Sequence, residues 1–214
     1  MFPMTHEDYL ASLASKFRSD IKQRIFKPLA DKGYVLTELT PEQVTKNANR
    51  IQALYLAVQA NASLRPVTVT PEYWKEMAHL GSQRAKVCAL IKDDAIAGFL
   101  LVLLDEEEAT AAQIGFDRAL AGEGLPIYLR LLHAGIDVAI RAGTKRLILG
   151  RTALEPKARL GCKPVETHLW LRHRQPVINT VAKRFFSLIQ HDEAPEIDPF
   201  KKSVAKGKHQ NTKA

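Results

Sequence analysis

Apolar residues recur every three or four positions over residues 5–32, and this spacing predicts an amphipathic helix at the start of the chain. Thr5 and Asp8 have the spacing of a capping box, so the helix is expected to begin after Thr5. Pro28 predicts a kink or an end, and Gly33 closes the segment. The predicted buried face consists of Tyr9, Leu10, Leu13, Phe17, Ile21, Ile25 and Leu29.

Two more helices are predicted after a short strand at residues 34–39. Each follows a Thr-Pro-Glu triplet, in which threonine is a good N-cap and proline suits the first helical position. The first begins at Pro41, and the second spans residues 71–80. Tyr73, Trp74 and Met77 anchor the second helix and are expected in the core or in the wall of a cleft.

The period then changes to that of β-strands, at residues 85–92, 95–104 and 109–117. Tight acidic turns separate the three strands, which predicts an antiparallel meander. The middle strand is apolar on both faces, so we expect it to lie centrally and to be covered on both sides.

Helices and strands alternate in the last part of the chain. A helix at residues 126–142 ends at Gly143, and a buried strand is predicted at 145–150, parallel to 109–117 through a right-handed crossover. A short helix (152–160), a strand (165–172) and a helix (176–188) follow. The predicted fold class is mixed α/β (α+β), with a mostly antiparallel sheet flanked by helices.

Composition is that of an ordinary globular protein, with 214 residues, 46% hydrophobic and 25% charged. Cys88 and Cys162 are far apart and form no CxxC pair, which argues against a metal site and suits a reducing compartment. The N-terminus does not resemble a signal peptide, and the longest apolar run is too short to cross a bilayer. We therefore expect a cytoplasmic protein without a metal.

The net charge of +8 is concentrated in a lysine-rich end, which predicts a disordered basic tail. The predicted organisation is an N-terminal amphipathic helix (1–33), a main domain (34–190) and the tail (191–214).

A candidate anion site follows the third strand of the meander. Arg118 is followed by Gly122 and Gly124 and then directly by a helix. Unpaired N–H groups at a helix start attract anions, glycines allow close approach, and arginine adds a charge-assisted bond. A Gly-x-Gly before a helix is also typical of a plain loop, and Glu123 works against an anion.

The element order resembles the GNAT (Gcn5-related N-acetyltransferase) superfamily, and the residues resemble its Fem-related, BioF2-like branch. Three runs carry the resemblance: EDYLASLASKFRSDIKQR, IGFDRALAGEGLPIYLRLLHAGIDVAIRAG and KRLILGRTALEPKARLGCKP. The resemblance implies an acyl-CoA-dependent N-acyltransferase. Acetyl-CoA or another acyl-CoA would be the co-substrate, and an amine of a small molecule or peptide would attack the thioester.

The resemblance also implies where the cofactor binds. Pantetheine would lie between the strands at 109–117 and 145–150, and pyrophosphate would bind the backbone of residues 122–125. The implied cofactor-binding residues are Ile114, Gly115, Phe116, Arg118, Gly122, Gly124 and Leu125. Two features depart from the family: Arg118 lies four rather than three residues before Gly122, and residues 152–161 contain no tyrosine.

Glu108 and Glu155 are the candidate catalytic bases, because they lie at the head of the cofactor strand and in the short helix. Arg151 and Lys157 are candidates for binding an anionic group of the substrate. Each of the four also has a structural interpretation, as a solvated carboxylate or as a cation that pins the short helix. His133 is expected to be a satisfied or exposed helix histidine, and Cys162 is expected to be structural.

Two other functions stay open at this stage. A Fem-type aminoacyl transferase would take its acyl group from charged tRNA, with basic residues along the RNA phosphates, although nucleic acid is not the favoured partner. A non-catalytic GNAT-like binding module would keep the fold alone. Longer relatives carry two such halves, which leaves a homodimer open.

Overall fold

The computed structural model describes residues 5–60, 67–150, 152–168, 170, 172, 174–175, 178–179 and 195–201. The chain divides into two compact units, one of residues 1–151 with 200–214 and the other of residues 152–199. The sheet belongs to the first unit. The predicted boundaries at residues 33 and 190 stay predictions.

The N-terminal segment is helical but is not the single predicted helix. It comprises α1 (His6–Ser12), α2 (Ser15–Ile21), a π-helical turn (Lys22–Phe26) and α3 (Lys27–Asp31). Thr5 and Asp8 form the predicted capping box. The helix breaks at Leu13, where the extended backbone forms a β-bridge with Phe200. The π-turn lies just before Pro28, whose missing N–H and ring disturb a regular helix.

The next segment contains strand β1 and three helices: β1 (Val35–Leu39), α4 (Pro41–Lys46), α5 (Ala48–Gln59) and α6 (Pro71–His79). Thr40 caps α4, as the Thr-Pro-Glu triplet predicts, and the structure adds a capping box with Gln43. The helix predicted from Pro41 is interrupted at Asn47, which caps the end of α4 and the start of α5.

Five strands form one sheet, in the order β1-β2-β3-β4-β5. The remaining strands are β2 (Ala85–Lys92), β3 (Ala95–Leu104), β4 (Glu108–Phe116) and β5 (Arg146–Ile148). The first four pair antiparallel, and β5 pairs parallel with β4. Asp93 and Asp94 form the turn between β2 and β3 in the left-handed region, with φ of 48° and 61°, which suits a tight hairpin. The mixed fold class and the meander are confirmed.

Strand β3 separates two apolar clusters, as its pattern predicts. Phe99 and Leu101 pack on the side of α5 and α6. Leu100 and Val102 pack on the opposite side, against α8 (Ile127–Arg141), which follows the short helix α7 (Arg118–Gly122). Burying side chains of this size contributes about 1.5–3 kcal/mol each. The cores on both faces therefore hold β3 and β4 firmly in place.

Three predictions after residue 144 can be compared with the structure. Strand β5 is not buried, since Ile148 is 43% exposed and β5 lies at the edge of the sheet. Residues 165–168 form no strand, so the prediction at 165–172 is wrong there. The short helix is confirmed as α9 (Leu154–Arg159). The helix predicted at 176–188 falls outside the described residues except at 178–179, and the predicted tail falls outside them except at 195–201.

No helix among the described residues has the length and apolarity to cross a membrane.

Candidate active site

Strands β4 and β5 are joined over only a short length. Three residue pairs connect them: Glu108 with Arg146, Ala109 with Leu147, and Thr110 with Ile148. Beyond Thr110, β4 continues to Phe116, and no strand in the described part of the chain pairs with it on that side. Gly150, with φ of 72°, follows β5. The free edge of β4 therefore presents main-chain groups that an extended ligand can pair with.

A β-bulge interrupts β4 just beyond the paired stretch. Leu101 lies opposite Gln113 and Val102 lies opposite Ala111, so Ala112 is an extra residue. Ala112 packs on the α5 and α6 side of the sheet, and the neighbouring Gln113 also reaches toward that side. A bulge re-aims a side chain in this way and ends regular pairing.

Tyr73, at the start of α6, meets β4 at this bulge. Its hydroxyl donates to Oε1 of Gln113 over 3.1 Å, and both residues are half-buried. Burial raises the pKa of Tyr73, although the bond to Gln113 acts in the opposite direction. The phenol is therefore neutral at physiological pH. The sequence assigned Tyr73 to the core or a cleft wall, and its pairing with Gln113 was missed because only the fold brings them together.

A buried network fixes the wall that carries Tyr73. Nε1 of Trp74 donates to Oε1 of Gln52 over 2.6 Å, and Nε2 of Gln52 donates to the Val69 carbonyl over 2.6 Å. The Trp74 ring contacts the rings of Tyr73, Tyr55 and Phe99 edge to face, at centroid distances of 5.0, 5.5 and 5.1 Å. Such edge-to-face contacts and a fully paired indole hold Tyr73 in one position.

The predicted cofactor residues of β4 are engaged in packing through their side chains. A Cβ on Gly115 would lie 2.6 Å from the Tyr55 amide nitrogen and 2.7 Å from the Leu54 carbonyl carbon, so α5 lies directly against β4 there. Ile114 and Phe116 pack on the opposite side, toward α8. Only their main-chain groups are suited to contact pantetheine, and that role stays a prediction.

The predicted phosphate loop is a short helix rather than an open loop. Asp117 caps α7 by accepting from the Ala119 amide over 3.0 Å. The amides of Glu123, Gly124 and Leu125 donate to carbonyls of α7 at 3.0, 3.0 and 3.3 Å. The expectation that the amides of residues 123–125 are free is therefore wrong. Gly124, with φ of 85°, permits this helix-closing turn.

The start of α8 has features that favour an anion. Its third residue, Leu129, has no carbonyl four residues back within the helix, and no side chain caps this end. The dipole of the fifteen-residue helix adds partial positive charge. Arg118 and Glu123 are both exposed nearby in the chain, while Asp117 pairs with Arg50 at 3.5 Å. The role of Arg118 stays a prediction.

Both candidate bases have basic partners. Glu108 forms an ion pair with Arg146 at the closed end of the β4–β5 pair. Glu155 accepts from Nη2 of Arg159 over 3.1 Å within α9. Neither observation tests whether these carboxylates act as bases, so both stay predictions.

Lys157 is buried, and its ammonium group donates to the Thr152 carbonyl within the second unit. Burial lowers its pKa. Arg151 lies outside the described residues.

Burial raises the pKa of Cys88 to about 12, and burial also raises the pKa of Cys162, so neither thiol ionises readily at neutral pH. Across the described ranges, no cluster of three or more His, Cys, Asp or Glu residues is placed to hold a metal.

Comparisons with known proteins support the fold. A family model described as an acetyltransferase (GNAT) domain matches residues 15–158. A possible acetyltransferase from Clostridium difficile 630 is similar in structure, with a TM-score of 0.50 and 11% identity, over 65% of this chain and 97% of that one. No curated protein matches this chain.

Two other solved structures are similar at somewhat lower scores. An aminoglycoside acetyltransferase from an uncultured soil metagenomic sample, in complex with sisomicin, has a TM-score of 0.49 and 13% identity, over 67% of this chain and 99% of that one. A ribosomal-protein-alanine N-acetyltransferase from Brucella melitensis biovar Abortus 2308 has a TM-score of 0.47 and 16% identity, over 66% of this chain and 99% of that one.

Proposed function

Because this chain belongs to the GNAT acetyltransferase family, we propose that it transfers an acyl group from acetyl-CoA, or another acyl-CoA, to an amine. The observation that carries the proposal is the free edge of β4 beyond Thr110. Pantetheine contains two amides in an extended chain, so it can pair with a strand edge as a short peptide does. The start of α8 then supplies the Leu129 amide and the dipole of a fifteen-residue helix for the pyrophosphate.

The proposed reaction is direct attack on the thioester. The amine nitrogen forms a bond to the acyl carbon, the carbon–sulfur bond breaks, and CoA leaves as the thiol while the amine loses one proton. Positioning the two reactants removes much of the barrier. A backbone N–H near the Ala112 bulge polarises the thioester carbonyl as charge develops on its oxygen.

The finer assignments are part of the same proposal. Glu108 or Glu155 accepts the amine proton, and Arg151 and Lys157 bind an anionic group of a small-molecule or peptide acceptor. The run at residues 145–164 supports membership of the Fem-related branch. A cytoplasmic location and a homodimer complete the proposal.

Acetyl-CoA is expected to raise the melting temperature in a thermal-shift experiment. A ligand at 100 times its Kd stabilises the folded state by about 2.7 kcal/mol. For a chain of this size the expected shift is about 5–10 °C. Longer acyl-CoAs and free CoA are measured in parallel. They should give similar shifts in melting temperature, because the acyl group contributes little to the strand and phosphate contacts.

The controls separate specific binding from attraction of anions to a basic chain. ATP at equal ionic strength should give a much smaller shift, since it lacks pantetheine. A variant that ends at Lys201 removes the lysine-rich end but keeps the Lys201 amide, which donates to the Ser12 carbonyl over 3.0 Å. Its acetyl-CoA shift should equal that of the full chain. No shift with any CoA compound would contradict the proposal.

The same experiment separates the alternatives. Without any CoA shift, a salt-dependent tRNA affinity that survives the truncation would favour a Fem-type aminoacyl transferase. CoA binding without acyl transfer to any amine would favour a binding module.

A further inference from the structure

Gln113 is the one polar residue in the stretch of β4 that extends beyond its pairing with β5, residues 111–116. Its neighbour Ile114 and Phe116 pack toward α8. Gln113 instead reaches the α5 and α6 side, where it accepts from the Tyr73 hydroxyl over 3.1 Å. The free half of β4 thus has an apolar side and a side with one polar pair.

The polar pair lies where the acyl group is expected. Pairing with β5 ends at Thr110, and the bulge at Ala112 follows two residues later. A pantetheine arm that runs along β4 from the start of α8 toward Thr110 reaches Gln113 and the bulge at Ala112 before the closed end of the opening. A thioester at the bulge therefore lies beside Gln113.

We propose that the Tyr73 hydroxyl, held by Gln113, accepts a hydrogen bond from the attacking amine and directs its lone pair at the thioester carbonyl. Tyr73 is thus a catalytic residue that contacts the acceptor, and Gln113 is a positioning residue. The inference rests on the proposed function, because it needs an acyl-CoA on the free edge of β4.

The hydrogen-bond directions fit this role. The Tyr73 proton points to Oε1 of Gln113, which leaves the oxygen lone pairs available as acceptors. An amine that donates one N–H to this oxygen is oriented, and no proton passes to or from Tyr73. A primary amine fits best, because it has a second N–H to lose when the amide forms.

Tyr55 provides a matched control within the same cluster. Its hydroxyl donates to the Val67 carbonyl at 3.4 Å and not to a residue of β4. Its ring contacts Trp74 edge to face, as the ring of Tyr73 does. Removing the Tyr55 hydroxyl therefore measures the structural effect of losing a tyrosine oxygen from this aromatic cluster, without a change at β4.

The test compares Tyr73→Phe and Tyr55→Phe with the unmodified full chain. Calorimetry measures acetyl-CoA binding, and thiol release from acetyl-CoA is followed with hydroxylamine as the probe amine, which is small enough to enter any acceptor site. For Tyr73→Phe, we expect an acetyl-CoA Kd within about twofold and a loss of about 10- to 100-fold in kcat/KM for hydroxylamine. Tyr55→Phe should change neither value.

Two variants at Gln113 test the positioning role. Gln113→Leu removes the acceptor oxygen, so it should lower kcat/KM for hydroxylamine without changing acetyl-CoA affinity. Gln113→Glu keeps an acceptor oxygen at the same reach and should restore much of the rate. A purely structural role for Gln113 would not separate the two variants in this way.

The outcomes distinguish this inference from the proposed function. Failure of the unmodified protein to bind acetyl-CoA overturns both. Binding without thiol release above the uncatalysed reaction of hydroxylamine with acetyl-CoA, or equal rates for Tyr73→Phe and the unmodified protein, overturns the inference and leaves acyl-CoA binding in place. Equal losses in Tyr73→Phe and Tyr55→Phe also overturn it, because they indicate a disturbed wall.

Discussion

Replacing Gly115 with alanine is expected to lower the free energy of unfolding by about 3 kcal/mol, the upper part of the range for overpacking a core. The added Cβ would lie 2.4 Å from a ring carbon of Phe99 and within 2.7 Å of backbone atoms of Leu54 and Tyr55. A side chain can rotate away, but the backbone of α5 cannot. Helix α5 would have to move off β4, which opens the apolar cluster around Phe99.

Urea denaturation measures this effect, and Gly122→Ala is the matched control. Gly122 lies in α7 without a positive φ, and a Cβ added there would have no neighbouring atom within 4 Å. Alanine is the better helix former by up to about 1 kcal/mol, so this variant should be neutral or slightly more stable. A Gly115→Ala variant as stable as the unmodified protein would contradict the close contact between α5 and β4.

Acidification from pH 7 to pH 4 is expected to destabilise the protein by about 3 kcal/mol through His133 alone. His133 is 0% exposed. Its Nδ1 lies 3.2 Å from Nε2 of His6, and its Nε2 has no partner among the described residues. Burial, with smaller effects from His6 and Arg130, lowers the pKa of His133 from 6.5 to about 3.

The direction follows from proton binding in the two states. Between pH 6.5 and about 3 the unfolded chain holds a proton on His133 that the folded protein does not accept. The free energy of unfolding therefore falls as the pH falls through this window, by about 1.4 kcal/mol per unit. Burial also lowers the pKa of His6, so His6 acts in the same direction, although Asp137 and Glu7 oppose its shift.

Urea denaturation of His133→Leu over the same pH range isolates this effect. Leucine removes the titrating group and its unpaired nitrogen while it keeps an apolar side chain of similar size, so about 3 kcal/mol of the acid-induced loss should disappear. Carboxylates contribute in both proteins; for example, hydrogen bonds from Lys86 and Arg141 outweigh burial and lower the pKa of Glu38. An equal acid loss in His133→Leu and the unmodified protein would refute the assignment.

The predictions that held depend on neighbouring residues. The strands predicted at residues 85–92 and 95–104 match β2 and β3, because a strand that pairs through a two-residue turn is specified locally. The capping box at Thr5 and the N-cap at Thr40 were also predicted, since each cap joins residues three apart. The free edge of β4 was expected only through the family resemblance, and the pairing register now locates its start at Thr110.

The predictions that failed depend on distant residues. The first helix breaks at Leu13 because the chain returns there with Phe200. The amides of residues 123–125 are used because α7 forms and closes on itself, which an Arg–Gly spacing does not indicate. The depth of His133 was also missed, since α1 and the π-turn cover it with His6 and Phe26.

By itself, the sequence determined most of the strands and helices in the first 150 residues and their order, because periodicity and capping are local properties. It did not determine helix α7 or the helix breaks at Leu13 and Asn47. Tertiary structure alone decided that Tyr73 meets Gln113, that Gly115 lies against α5, and that His133 is sealed beneath α1. The partners in each of these contacts are 40 or more positions apart in the chain. These contacts form only when the two apolar clusters pack on opposite faces of one sheet.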